Sequence, residues 1–236
     1  MPLEFDRRTA LTAALAAGTT LTLNGAAMAD PTPAQPVAYE PLPLPFDPAA
    51  VSGLSEKLLK SHYENNYAGA VRRLGAIQTH LGGVDPSTEP NFIINGVKRE
   101  ELIALNSMIL HEVYFTALAG SAASPGQQLA AQIERDFGSF DRWRAEFSSM
   151  GKALAGGSGW VLLTWSPRAG KLMNIWAADH THTAADGTVL LALDMYEHAY
   201  AIDFGARAGA YVDAFMAALR WDSASAAFAA HSPSRD

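Results

Sequence analysis

Asp194 and His198 stand four residues apart in the run Leu193-Asp194-Met195-Tyr196-Glu197-His198-Ala199-Tyr200. A carboxylate oxygen and an imidazole nitrogen make a mixed donor pair that suits a first-row transition metal. The apolar run Thr188 to Leu193 before them reads as a short buried strand, which puts both donors at the rigid end of a sheet. The other histidines are His62, His80, His111, His180, His182 and His231. His111 lies between Met108-Ile109-Leu110 and Val113-Tyr114-Phe115, and a histidine among such neighbours needs a partner for its polar atoms. His62 falls in the middle of a predicted helix, one turn before Asn66. Taken singly, each reads best as a core histidine satisfied by a hydrogen bond. Two of them on facing helices, with Asp-x3-His at a strand end, point instead to one shared metal.

The elements that must position these residues follow from periodicity and punctuation. Ser55 is an N-cap, and Glu56 to about His80 reads as one long helix with Leu58, Leu59, Tyr63, Val71, Leu74 and Ile77 on its period. Gly82-Gly83 stop it, a loop from Val84 to Asn95 follows, and a second helix runs from about Lys98 to Leu118 with Gly120 as its C-cap glycine. Two long helices joined by a loop make an antiparallel hairpin. Pro125 in a first turn opens a third helix, Gly126 to Phe137, and Ser139 caps a fourth, Phe140 to about Ala155. Strand-like runs come next at Trp160–Trp165, Lys171–Ala178 and Thr188–Leu193, and Asp203 to about Arg220 returns to helix. The fold class is α+β: an N-terminal antiparallel helical hairpin, residues 51–120, and a C-terminal domain, residues 121–236, with a three-stranded antiparallel sheet and helices.

Composition narrows the chemistry. The chain contains no cysteine, which excludes disulfides, thiolate metal sites and cysteine nucleophiles. Its net charge of −7, with no basic stripe, argues against nucleic acid as a partner. With 49% hydrophobic and 17% charged residues it has the make-up of a globular protein with a real core. Residues 1–29 stand apart: Arg7-Arg8 precede a weakly apolar run from Ala10 to Ala26, and Ala27-Met28-Ala29 forms a small-x-small cleavage signal. This looks like a twin-arginine export leader. An ordinary secretory signal, or a membrane anchor if cleavage fails, are the alternatives. A cleaved leader implies a periplasmic or secreted protein without a stable membrane anchor. Residues 30–50 hold seven prolines, Pro31, Pro33, Pro36, Pro41, Pro43, Pro45 and Pro48, and read as an extended arm.

Several segments together carry a resemblance. The arm Leu42-Pro43-Leu44-Pro45-Phe46, His62-Tyr63, His111-Glu112-Val113-Tyr114-Phe115, Phe137-Gly138-Ser139-Phe140, Gly157-Ser158-Gly159-Trp160 and Asp194-Met195-Tyr196-Glu197-His198-Ala199-Tyr200 are similar to the iron/manganese superoxide dismutase family, across nearly all of the chain beyond residue 30. The resemblance implies that His62, His111, Asp194 and His198 ligate one iron or manganese ion per subunit, with solvent as a fifth ligand. It implies conversion of superoxide to dioxygen and hydrogen peroxide, and a homodimer in which Glu197 bonds the partner subunit's ligand histidine.

The chain departs from the family around that site. The two places from which a glutamine reaches the bound solvent align with Ser107 and His180, so His180 is expected to make the solvent contact. Its other reading is a polar residue at a strand end, and His182 is a bystander. The gateway tyrosine aligns with Ala70, its companion histidine with Asn66, and the tyrosine pairing with that histidine across the dimer with Ala201. Tyr63 and Tyr67 offer phenols that would line the entrance differently. These departures keep two other readings in play: a metal-binding protein of the same fold with weak or altered redox activity, and another oxidative chemistry at the same ion.

Overall fold

The computed structural model describes residues 39–232; the leader expected at 1–29 and the first part of the arm lie outside the described residues. From Tyr39 the arm runs to a 3-10 turn at Pro48–Ala50, and the Ser55 hydroxyl then accepts the Leu58 N–H to cap the first helix. Asp203 secures that cap from the far end of the chain, accepting both the Ser55 N–H at 2.7 Å and its hydroxyl at 2.6 Å.

The helix expected as one piece has three parts: α1 (Glu56–Ser61), a π-helical stretch (His62–Tyr67) and α2 (Ala68–Gly82). The Ala68 N–H reaches back five residues to the Tyr63 carbonyl, and this wider turn marks the π insertion. Helix α3 (Asn91–Thr116) starts earlier than the sequence suggested, after Pro90, and shortens the preceding loop. It packs antiparallel along α2, and an Arg73–Glu100 ion pair bridges the two helices. Its C-cap is Ala117, so Gly120 does not end this helix. Gly120 has φ +96°, and a Cβ there would lie 2.3 Å from Asp222 Oδ2. That carboxylate instead accepts the Ser121 and Ala122 N–H groups, so the glycine serves a long-range turn.

Helices α4 (Gln127–Phe137) and α5 (Phe140–Ala153) follow, with Gly126 and Ser139 as their N-caps. Pro125 therefore precedes α4 rather than sitting inside its first turn. Strands β1 (Trp160–Ser166), β2 (Lys171–Ala177) and β3 (Thr188–Asp194) form an antiparallel sheet in the order β2-β1-β3. All residues of the central strand are buried. The C-terminal helix expected over Asp203–Arg220 is broken: α6 (Ala201–Phe204) stops at Gly205, whose φ is +55°, and α7 (Ala208–Ala218) restarts beyond it. A further helix, α8 (Asp222–His231), went unforeseen. Trp143, Trp160, Trp221, Tyr114, Tyr211, Phe147 and Phe215 fill the core between helices and sheet.

Candidate metal centre

Three parts of this fold converge. His62 is the first residue of the π-helical stretch, His111 lies in α3, and Asp194 is the last residue of β3. The sheet register sets Asp194 directly across from Trp160 on β1. The chain then turns through a 3-10 segment, Glu197–Ala199, which brings back His198. His62, His111 and Asp194 are buried, and His198 is partly so. One donor atom from each of the four lies within 4.8 Å of every other.

The Asp194 carboxylate is the hub. Its Oδ1 accepts the Tyr196 N–H at 2.8 Å, which turns Oδ2 toward the imidazoles. Oδ2 stands 3.0 Å from His62 Nε2, 3.1 Å from His198 Nε2 and 3.6 Å from His111 Nε2. Four donors each about 2.1 Å from a common ion would be about 3.0 Å apart at a right angle and about 3.6 Å apart at 120°. The observed spacings are therefore those of donors around one ion. His111 Nδ1 donates to the Ser107 carbonyl at 2.6 Å, which leaves Nε2 as a bare lone pair. That Nε2 is buried and without a hydrogen-bond partner, so the residues fit a metal.

Protonation points the same way. Burial lowers the His62 pKa, and burial with the neighbouring His62 lowers that of His111 to about 3. Burial alone would raise the Asp194 carboxyl, but the charge and hydrogen bonds of His198 and His62 override it and hold the group well below the usual carboxylate range. A neutral His62, a neutral His111 and an ionised Asp194 are in the states that a metal requires of such donors.

Aromatic rings wall the cluster. Tyr114 and Phe115 pack on His62 with centroids 4.9 and 5.2 Å away, and Trp160 meets His111 edge-on at 5.2 Å. Tyr196 lies in a stack between His198, at 5.3 Å, and His180, at 4.9 Å. His180 accepts the Trp160 indole N–H at Nδ1, 2.9 Å, and its carbonyl accepts the Asn106 amide at 2.6 Å. A neutral His180 must then carry its proton on Nε2. Its ring lies 6.2 Å from that of His111. Sequence reasoning missed Trp160, Asn106 and Tyr196 as neighbours of this site, although Tyr196 sits inside the Asp-x3-His segment itself.

The remaining expected residues lie further out. His182 is exposed and bonds Asp179, and Glu197 is exposed beside His198. Ala70 is buried in α2, Asn66 half-buried and Ala201 exposed. The hydroxyls of Tyr63 and Tyr67 point to the arm at Leu42 and to Glu112 rather than to the four donors.

The comparison with known proteins is direct. The family model for iron/manganese superoxide dismutases, C-terminal domain, matches residues 125–227. The chain is 62% identical over 192 residues to a superoxide dismutase [Fe] of Cupriavidus metallidurans, covering 81% of this chain and 97% of that one. It is 32% identical over 187 residues to superoxide dismutase [Mn] 1 of Halobacterium salinarum, covering 78% and 92% of the two chains. With a superoxide dismutase [Fe] of Pyrobaculum aerophilum it shares 31% identity over 185 residues, 76% and 87% of the two. With two helices, a strand end and a turn placing four metal-type donors together, and with this similarity along most of its length, the chain belongs to the iron/manganese superoxide dismutase family.

Proposed function

We propose that His62, His111, Asp194 and His198 hold one iron or manganese ion per subunit in this superoxide dismutase. The observation that carries this is the set of spacings from Asp194 Oδ2, 3.0, 3.1 and 3.6 Å, which match donors around one ion. Imidazole and carboxylate suit iron and manganese alike, and relatives named for each metal align along most of the chain.

The bound ion supplies the one-electron couple by which one superoxide is oxidised to dioxygen and a second, taking up two protons, is reduced to hydrogen peroxide. The protein's residues make that couple usable. Three neutral imidazoles and one carboxylate contribute a single negative charge, which suits both a divalent and a trivalent ion. Tyr196 N–H and the Ser107 carbonyl orient Asp194 and His111, so the donor geometry is set before binding. Tyr114, Phe115 and Trp160 keep bulk water from the buried side. His180, with its proton held on Nε2 by the Trp160 bond, is the donor to solvent at the centre. Superoxide consumption by the protein reconstituted separately with each ion tests this. The expected rate far exceeds that of the same concentration of free ion, and equal rates contradict it.

Two further readings belong here. Glu197, exposed beside the ligand His198, supports a homodimer joined at this edge; sedimentation at the mass of one 25.1 kDa chain opposes it. Arg7-Arg8, the apolar run and Ala27-Met28-Ala29 support a cleaved twin-arginine leader and a periplasmic or secreted enzyme. No helix among the described residues is long and apolar enough to cross a membrane. An exported chain that still begins at Met1 overturns cleavage.

A further inference from the structure

Tyr63 and Tyr67 grip both backbone groups of one arm residue. Leu42 N–H donates to the Tyr67 hydroxyl at 2.9 Å, and the Tyr63 hydroxyl donates to the Leu42 carbonyl at 3.0 Å. The Tyr67 hydroxyl then passes its own proton into a hydrogen bond with Glu112 Oε1, 2.9 Å away. Tyr67 is only 2% exposed, so water competes poorly for this bond, and a carboxylate acceptor makes it stronger than a neutral one.

Its position is what gives the bond a role. Glu112 directly follows His111 on α3, and Tyr67 lies five residues after His62. In a regular α-helix five residues turn the face by about 140°. The i→i+5 turn of the π-helix returns residue 67 nearly to the side of residue 62. Both side chains are accordingly buried, His62 at 0% and Tyr67 at 2% exposure. The bond thus links the two ligand-bearing helices one residue from one ligand and one turn from the other. The Tyr67 ring also packs at 6.1 Å on Phe115, which lies 5.2 Å from His62 and 6.4 Å from His111. A cavity of about 110 Å³ borders the pair on the arm side, so close packing alone does not fix the spacing there.

We propose that Tyr67 is a positioning residue of the metal centre: through Glu112 it ties the helix of His62 to the helix of His111 and so fixes how far apart their imidazoles stand. This rests on the ligand assignment above. Without the tie the two helices part more readily, and a bound ion escapes faster.

Release of the bound ion into excess chelator tests it, read for wild type and for Tyr67→Phe, Glu112→Ala, Glu112→Gln and Leu42→Pro. Tyr67→Phe and Glu112→Ala should each release about tenfold faster, the scale typical of lost outer partners of a metal site. The double variant should be no faster than either single one. Glu112→Gln keeps an acceptor oxygen, though a weaker one, and should release more slowly than Glu112→Ala. Leu42→Pro removes the arm N–H and leaves the Tyr67–Glu112 bond intact, and should release at the wild-type rate. All should bind one ion per chain, whereas a wrong ligand assignment shows as His111→Ala binding normally, which keeps the two failures apart. Release within twofold of wild type for Tyr67→Phe and Glu112→Ala overturns the proposal, even if their melting temperatures fall. Leu42→Pro releasing as fast as Tyr67→Phe also overturns it, because arm docking would then be the cause. If Tyr67→Phe does not fold, the contrast between Glu112→Ala and Glu112→Gln decides.

Discussion

Replacing His111 with alanine is expected to abolish stoichiometric metal binding and to reduce superoxide consumption to that of free ion. The His111 Nε2 lone pair is buried and bonded to nothing in the protein, while Nδ1 is held by the Ser107 carbonyl. The substitution therefore removes a donor that has no other partner on that side. The loss should exceed the roughly 10–100-fold in affinity that removal of an outer partner costs, since a direct donor is gone. Asp194→Ala should act similarly, for it strips the oxygen that lies 3.0 Å from His62 Nε2 and 3.1 Å from His198 Nε2. Metal analysis after reconstitution and desalting is the check. One ion per chain in either folded variant contradicts the assignment.

The second large effect is expected at a residue that offers no donor atom to the ion. Gly159 precedes β1 with φ +137°, and a Cβ there would lie 2.2 Å from the Ala177 carbonyl oxygen. That oxygen belongs to the backbone of β2, so it cannot move aside without breaking the β1–β2 pairing, in which Trp160 faces Ala177. Gly159 also accepts the Met195 N–H at 2.9 Å, one residue beyond Asp194. Gly159→Ala should therefore cost about 3 kcal/mol or more, combining backbone strain with a clash. For a chain of this size that lowers the melting temperature by about 10 °C. The same change should loosen the strand end that carries Asp194, so metal content should fall as well. Thermal unfolding within 2 °C of wild type, on the scale of about half a kcal/mol, contradicts the reading.

Much of this candidate site was legible in the sequence. Asp194 and His198 stood out because an apolar strand ended on them, and His111 because of the apolar residues on either side of it. What local pattern could not carry was set by distant contacts. A single π turn carries no residue-type signature, so the run from Glu56 read as one continuous helix although it is widened at His62–Tyr67. Gly120 resembled a helix stop, yet its conformation answers to Asp222, a residue about a hundred positions later. Helix α8 was invisible because Ser223-Ala224-Ser225-Ala226-Ala227 carries little contrast between its faces. The bond from Trp160 to His180 and the stacking of His180, Tyr196 and His198 join residues on separate elements. Tyr63 and Tyr67 had the right chemistry for an entrance, but their hydroxyls are taken up by Leu42 and Glu112.

The most direct test is a crystal of the metal-loaded protein measured on either side of the absorption edge of its iron or manganese. The account requires one anomalous peak per chain, about 2.1 Å from His62 Nε2, His111 Nε2, Asp194 Oδ2 and His198 Nε2 alike. A peak bound by other residues, or one that any of these four atoms fails to reach, contradicts it.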